Sequence, residues 1–162
     1  MLTAKDLRGV IPAIVTPFTA DRRLDEEGLR RITSYVLENG VHGIMTTGGN
    51  GEFPLLLREE KQRVTRIVVE VTGGRVPVIA GTAACSTMET ILLTRDAEEV
   101  GADAAIVTAP YYFVLSEDSL YEHYEEVAAK AGLPVVVYNN PVYTGNNLSP
   151  ELIARLAVVD GI

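Results

Sequence analysis

The chain has 162 residues, 47% hydrophobic and 22% charged, which is enough apolar residue for one globular core and too much for a disordered or fibrous chain. Its formal charge of −8, from 22 acids against 14 bases with no basic run, excludes an evident nucleic-acid footprint. No apolar stretch approaches the roughly 18 residues of a membrane span, Met1 to Asp6 lack a signal-peptide layout, and the single cysteine, Cys85, rules out an internal disulfide, so the expectation is a cytoplasmic protein acting on small molecules, with no nucleic-acid or membrane partner.

Short apolar runs rich in β-branched residues alternate with longer amphipathic stretches. The first run is Val10–Thr16. Asp25 then caps a helix whose Leu29, Ile32, Val36 and Leu37 share one face and which Gly40 ends. Gly43–Thr47 is the second run, followed by the stripe Val64, Ile67, Val68 and Val71, stopped by Gly73-Gly74. Val76–Gly81 precedes the capping-box pattern Ser86-Thr87-Met88-Glu89, with Leu93, Ala97 and Val100 behind it and Gly101 as the stop. Ala104–Ala109 precedes Ser116 and a helix carrying Leu120, Tyr124, Val127, Ala128 and Ala131, closed by Gly132 and Pro134. Pro134–Asn139 is the fifth run. Ser149-Pro150 then opens a helix with Leu152, Ile153 and Leu156, and Val158–Ile162 reads as the start of a sixth strand.

Continuous rather than alternating apolar runs suit strands covered on both faces, as in a parallel sheet. Their recurrence, about every 30 residues, fits one strand plus one crossover helix per unit. Five βα units fit two architectures: a flavodoxin-like doubly wound sheet, or the first part of a (β/α)8 barrel, which takes roughly 250 residues. Periodicity leaves both open, and the Asp160-Gly161-Ile162 ending, where a strand should begin, favours the barrel.

In either architecture the loops after the strand carboxyl ends build the site. After the second run comes Thr46-Thr47-Gly48-Gly49-Asn50-Gly51-Glu52-Phe53. Its glycines allow close backbone approach and N–H groups aimed at an anion, and the same residues also serve a plain tight turn. Neither a GxGxxG fingerprint nor a Gly-Lys-Ser/Thr motif supports nucleotide binding. Four of the seven tyrosines lie in the loops after the fourth and fifth runs, as Tyr111, Tyr112, Tyr138 and Tyr143. A phenol at a strand end is a candidate acid or base, and equally an aromatic lining a cleft or a subunit interface. His42 and His123 lack a second ligand at metal spacing and read as structural or solvated, with no metal implied. Cys85 reads as a small buried hydrophobe, and Glu59-Glu60-Lys61 and Glu98-Glu99 as solvated helix faces. No G-x-S-x-G nucleophile elbow is present.

Gly9-Val10-Ile11-Pro12-Ala13-Ile14-Val15-Thr16-Pro17-Phe18, then Gly51-Glu52-Phe53, Pro110-Tyr111-Tyr112, and Tyr138-Asn139-Asn140-Pro141 with Thr144-Gly145, together resemble the dihydrodipicolinate synthase / N-acetylneuraminate lyase family, in order and spacing, from about Gly9 onward. The resemblance implies a (β/α)8 barrel, usually a homotetramer, that binds pyruvate or a related 2-oxo acid as a lysine Schiff base and needs no separate cofactor. By position, it implies that Tyr138 is the phenol shuttling protons at the imine. Gly49 and Asn50 fall where the family grips the 2-oxo acid carboxylate, and Tyr112 matches a tyrosine reaching into a neighbouring subunit's site.

Three departures shape the expectation. Gly49 has no hydroxyl, so the synthase's Tyr–Thr–Tyr relay cannot form as such, and the Gly-Asn-Gly-Glu-Phe-Pro loop looks more like the branch containing 4-hydroxy-2-oxoglutarate aldolases. Tyr143, at the substrate-binding position of the synthase's arginine, cannot form a bidentate ion pair. The Schiff-base lysine belongs on the sixth strand, beyond Ile162, and the chain's own lysines are Lys5, Lys61 and Lys130, none at a strand carboxyl end. The reading is therefore a Schiff-base lyase of the aldolase or hydratase type, with residues 1–162 as the amino-terminal portion of one barrel domain, inactive alone. The alternatives are 4-hydroxy-tetrahydrodipicolinate synthase proper, or an inactive carboxylate-binding or assembly fragment; a flavodoxin-like flavin binder follows only from the count of units.

Overall fold

The computed structural model describes residues 7–162. Four parallel strands, β1 (Ile44–Thr46), β2 (Val78–Gly81), β3 (Ala104–Thr108) and β4 (Val135–Tyr138), form one sheet in the order β1-β2-β3-β4. The register pairs Ile44 with Val78, Ile79 with Ala104 and Val107 with Val137. Helix α1 (Glu26–Glu38) precedes β1, α2 (Arg58–Thr72), α3 (Thr87–Glu99) and α4 (Glu117–Lys130) run between successive strands, and α6 (Pro150–Leu156) follows β4 after the single turn α5 (Pro141–Thr144).

That order decides between the two architectures. A doubly wound sheet reverses direction after its first pair, whereas here each strand lies beside its sequence neighbour. Right-handed crossovers then carry every helix to the same side of the sheet, and the helices do pack in sequence, α1 on α2, α2 on α3, α3 on α4 and α4 on α6. The sheet is an arc winding in one direction, which is barrel geometry and not the flavodoxin pattern.

The helices begin where their side chains supply the missing acceptors. Asp25 Oδ1 accepts from Gly28 N–H at 2.8 Å, Ser86 Oγ from Glu89 at 3.2 Å, Ser116 Oγ from Ser119 at 3.2 Å and Ser149 Oγ from Leu152 at 3.1 Å. The start of α2 has no such residue in front of it, and Glu60 reaches back to accept from the Leu57 N–H at 2.8 Å. Two apolar clusters hold the helices to the sheet. Leu29, Ile44, Val64, Ile67, Val68 and Val78 join α1 and α2 to β1 and β2, while Ile91, Val107, Leu120, Tyr124, Val127, Leu148 and Leu152 join α3, α4 and α6 to β3 and β4. Bidentate ion pairs lace the outer surface, Arg63 to Glu26 (2.7 and 2.6 Å) and Arg58 to Asp96 (2.5 and 2.7 Å).

Two apolar runs differ from expectation. Val10–Thr16 lies parallel beside β1, but it forms only a single bridge, Ala13 to Met45. Met45 N–H donates to Pro12 O at 2.9 Å and Ile14 N–H to Met45 O at 3.1 Å, yet Pro12 has no N–H with which to extend the ladder. Val158–Ile162 is a turn and not a strand, closed by the Ile162 N–H donating to Val159 O at 3.2 Å. Its Gly161 carbonyl accepts from Val135 N–H at 2.8 Å, the place beside β4 that Pro134 O takes beside β3 and Pro77 O beside β1. Cys85, expected to be buried, is exposed. Lys61 is half-buried, with its ammonium 5.9 Å from the Phe53 ring centroid, and burial holds its pKa below the ordinary lysine value.

Candidate active site

The carboxyl ends of the strands open into a cleft of about 510 Å³. Its floor is made of strand residues, among them Met45, Gly81, Ile106 and Thr108, and its walls of the three mouth loops. Small residues make the floor possible. A Cβ on Gly81 would stand 2.1 Å from the Thr47 carbonyl oxygen, so only glycine lets the loop after β1 settle across the end of β2, where Thr47 Oγ1 donates to Gly81 O at 2.9 Å.

The loop after β1 is both a tight turn and a source of donors. Gly51 and Phe53 N–H donate back to Gly48 O (3.1 and 3.4 Å) and Glu52 N–H to Gly49 O (3.1 Å), ahead of a 3-10 turn at Phe53–Leu55. Gly49 and Asn50 N–H donate to no backbone carbonyl among the described residues, and both residues line the cleft. The Asn50 amide spends one hydrogen on Ala13 O at 3.3 Å, which fixes its orientation against the first segment. Thr47 (φ 48) and Glu52 (φ 57) bracket this loop in left-handed conformations that cost a non-glycine residue free energy.

Tyr138 ends β4, and its phenol oxygen accepts from Asn140 Nδ2 at 3.3 Å. A phenol at a strand end with a hydrogen-bonding neighbour can accept or donate a proton. Tyr143 lines the same cleft at its rim and is 83% exposed. Gly49, Asn50, Tyr138 and Tyr143 are thus brought together. Tyr112 is not: it is 85% exposed, points out of the cleft lining and stacks edge-on against Phe113 with centroids 4.8 Å apart.

Residues that sequence reasoning left without a role also line the cleft. Tyr111 meets Phe53 edge-to-face at 6.0 Å, and its phenol is pushed up to about 12 by burial first and then by the neighbouring Cys85 and Glu89, so it stays protonated. Thr108, at the end of β3, buries a hydroxyl that has no hydrogen-bond partner. A threonine closing the otherwise apolar run Ala104–Val107 was the available signal. His123 lies outside the cleft and is buried between α3 and α4, as the structural reading of its sequence position implies. Among the described residues no cluster of three His, Cys, Asp or Glu side chains could hold a metal, and no helix is long and apolar enough to cross a membrane.

A parallel arc with its cleft at the strand carboxyl ends, walled by a glycine loop and two aromatic loops, is the architecture of a (β/α)8 barrel. The sequence matches the family described as "Dihydrodipicolinate synthetase family" over residues 6–162, and the chain belongs to that family. An uncharacterised DapA-like lyase of Halobacterium salinarum is 46% identical over 95% of this chain and 51% of its own length. A 4-hydroxy-tetrahydrodipicolinate synthase of Methanothrix thermoacetophila is 44% identical over 96% and 52%. Among solved structures, the dihydrodipicolinate synthase of Acinetobacter baumannii complexed with pyruvate superposes with a TM-score of 0.94 at 39% identity, covering 96% of this chain and 54% of that one. The Escherichia coli K12 prophage protein YagE, of the same family and also in complex with pyruvate, gives 0.91 at 38% identity, covering 95% and 52%. The chain spans about half the length of the relatives it matches.

Proposed function

We propose that this chain supplies the carboxylate-binding and proton-handling side of a Schiff-base lyase acting on pyruvate or a related 2-oxo acid. The observation that carries this reading is the Tyr138 phenol, held by Asn140 at the mouth of the arc in the same cleft as the Gly49–Asn50 donors. Two relatives of the same fold crystallised with pyruvate support the substrate class. In this reading the Gly49 and Asn50 N–H groups take the 2-oxo acid carboxylate. An amine attacks the keto carbon and water leaves. Counting from the carboxylate carbon, the imine then accepts the electrons of the C3–C4 bond, which breaks to an enamine and an aldehyde while Tyr138 takes the 4-hydroxyl proton and returns one to C3. The amine is a lysine on the strand following Ile162. The active form is a cytoplasmic homo-oligomer, a dimer or tetramer, in which Tyr112 reaches a neighbouring subunit's site, and no separate cofactor takes part.

Two positions direct the choice of substrate away from synthase chemistry proper. Gly49 offers no hydroxyl, and Tyr143 offers no charge to a second carboxylate, which favours an aldolase or hydratase over 4-hydroxy-tetrahydrodipicolinate synthase. The names of several relatives favour the synthase, so turnover of aspartate semialdehyde with pyruvate is the assay that separates the two. The mechanism is tested by treating pyruvate-loaded protein with borohydride. The 162-residue chain gains no mass, and the chain extended through the following strand gains one reduced pyruvyl group; an adduct on the short chain overturns the assignment.

A second reading, an inactive carboxylate-binding or assembly fragment, is favoured by the lysines themselves. Lys61 sits on α2, and Lys130 closes α4 with its ammonium 2.6 Å from Glu126, so neither lines the cleft; Lys5 lies outside the described residues. Saturable pyruvate binding by a monodisperse short chain in gel filtration supports this reading, and insoluble protein counts against it.

A further inference from the structure

Asn146 received no role from the sequence, yet its side chain makes three hydrogen bonds from one aromatic mouth loop to the other. It is 2% exposed. Its Oδ1 accepts from Leu115 N–H at 2.8 Å, and its Nδ2 donates to Pro110 O and Phe113 O, both at 2.8 Å. All three partners belong to the loop after β3, while Asn146 itself belongs to the loop after β4. Its own end is braced in turn: Asn146 N–H donates to Thr144 Oγ1 at 3.1 Å, and Asn139 fixes Leu148 through Oδ1 accepting from Leu148 N–H at 3.1 Å.

The bonded carbonyls of Pro110 and Phe113 flank Tyr112, whose φ of 85° lies in the region that favours glycine. Such a conformation persists in a tyrosine only where its surroundings over-determine it, and such residues cluster at functional sites. The packing of Tyr112 does not explain it, because the ring is 85% exposed, with Phe113 edge-on beside it. The backbone clamp on either side of it does.

We propose that Asn146 is a positioning residue that locks the loop after β3 to the loop after β4 and thereby holds Tyr112 in its outward, left-handed conformation. The catalytic consequence rests on the Schiff-base reading; the clamp itself does not. An amide suits the task because it offers one acceptor and two donors in a plane, and here it faces one N–H and two carbonyls of a single loop. Leucine matches its size and removes every bond. Aspartate keeps the acceptor for Leu115 and turns the donor end into an anion facing two carbonyls.

The experiment compares the complete gene product with its Asn146→Leu, Asn146→Asp, Tyr112→Phe and Asn146→Leu/Tyr112→Phe forms. Amide exchange at Leu115 rises at least about tenfold in Asn146→Leu, while β3 and α4 keep their protection, because local opening reports the lost bonds. Turnover falls roughly tenfold to a hundredfold with little change in pyruvate KM, and the double variant is no slower than Tyr112→Phe alone. Unchanged exchange at Leu115 overturns the clamp, and additive losses in the double variant overturn its action through Tyr112. If Asn146→Leu does not fold, Asn146→Asp carries the test through turnover, alone and combined with Tyr112→Phe, because it keeps the acceptor for Leu115 and loses only the two donors. Losses additive with Tyr112→Phe, or unfolding of both Asn146 variants, overturn the proposal. Wild-type protein that traps no pyruvate with borohydride sinks the Schiff-base reading and the catalytic consequence with it, and the exchange data then decide the clamp on their own.

Discussion

Acidification should unlock α3 from α4 through one side chain. His123 is 3% exposed, its Nδ1 lies 2.9 Å from Thr87 Oγ1, its Nε2 is buried without a partner, and its ring stands edge-on to Tyr124 at 5.1 Å. Adding a proton would place a charge and a second N–H where no acceptor waits. Burial lowers its pKa from 6.5 to about 4, and the Glu126 carboxylate offsets this only in part. The folded protein therefore keeps His123 neutral, while the unfolded chain protonates it below pH 6.5. Stability is complete above that value, falls as the pH drops from 6.5 towards 4, and levels off below. At 1.36 kcal/mol per pH unit the whole descent is about 3 kcal/mol, of which about 2 is lost by pH 5. Urea unfolding of wild type and His123→Gln at intervals from pH 7 to pH 4.5 measures it, since glutamine stays neutral and can still bond Thr87. The Glu26 carboxylate, whose pKa is lowered by its hydrogen bond to Arg63, loses its contribution only below the ordinary 4.5, and so lies outside most of this window. Equal slopes in wild type and variant, or a His123 ring resonance titrating near 6.5, would refute the argument.

Gly81→Ala places a methyl 2.1 Å from the Thr47 carbonyl, so it should lower the urea midpoint by about 1–3 kcal/mol equivalent and displace the Gly48–Gly49 loop; a variant of wild-type stability that still binds pyruvate would show that the loop is free to move. Tyr124→Phe removes a buried hydroxyl that donates to Val107 O at 3.3 Å and should cost about 1 kcal/mol in the same assay. Tyr138→Phe in the complete gene product should cut turnover by about 10²–10⁴-fold with pyruvate affinity nearly kept, and full activity of that variant would remove the phenol from the mechanism.

The repeating unit was legible because its signals are local. Asp25, Ser86, Ser116 and Ser149 each announce a helix start by a side chain that bonds three residues ahead, and each does so here. What the periodicity left open was winding direction, a property of which strands become neighbours. It became visible only in the β1-β2-β3-β4 order. The same limit explains the first run: Val10–Thr16 has the composition of a strand, but the single missing N–H of Pro12 leaves it as one bridge. Tyr138, Gly49, Asn50 and Tyr143 were findable from loop chemistry and the family pattern. Tyr112 was named by the same family pattern, but it lies outside the cleft, and its outward direction depends on a backbone angle that no residue type declares. Asn146 was invisible because its meaning lies in partners 31 to 36 residues away.

Strain is placed unevenly in this molecule, and its placement bears on how the site works. Of the four non-glycine residues with left-handed backbones among the described residues, Thr47, Glu52 and Tyr112 lie in the mouth loops and Arg22 lies elsewhere. At roughly 1–3 kcal/mol each, such conformations are retained only where packing and hydrogen bonds offset them. Thr47 is offset by its bond to Gly81 and Tyr112 by the Asn146 clamp on either side. Both restraints tie a mouth loop to a neighbouring βα unit and not to its own. The cleft is therefore rigid through links between adjacent units, and loosening one link should be felt in the next loop round the arc before it is felt in the strand beneath.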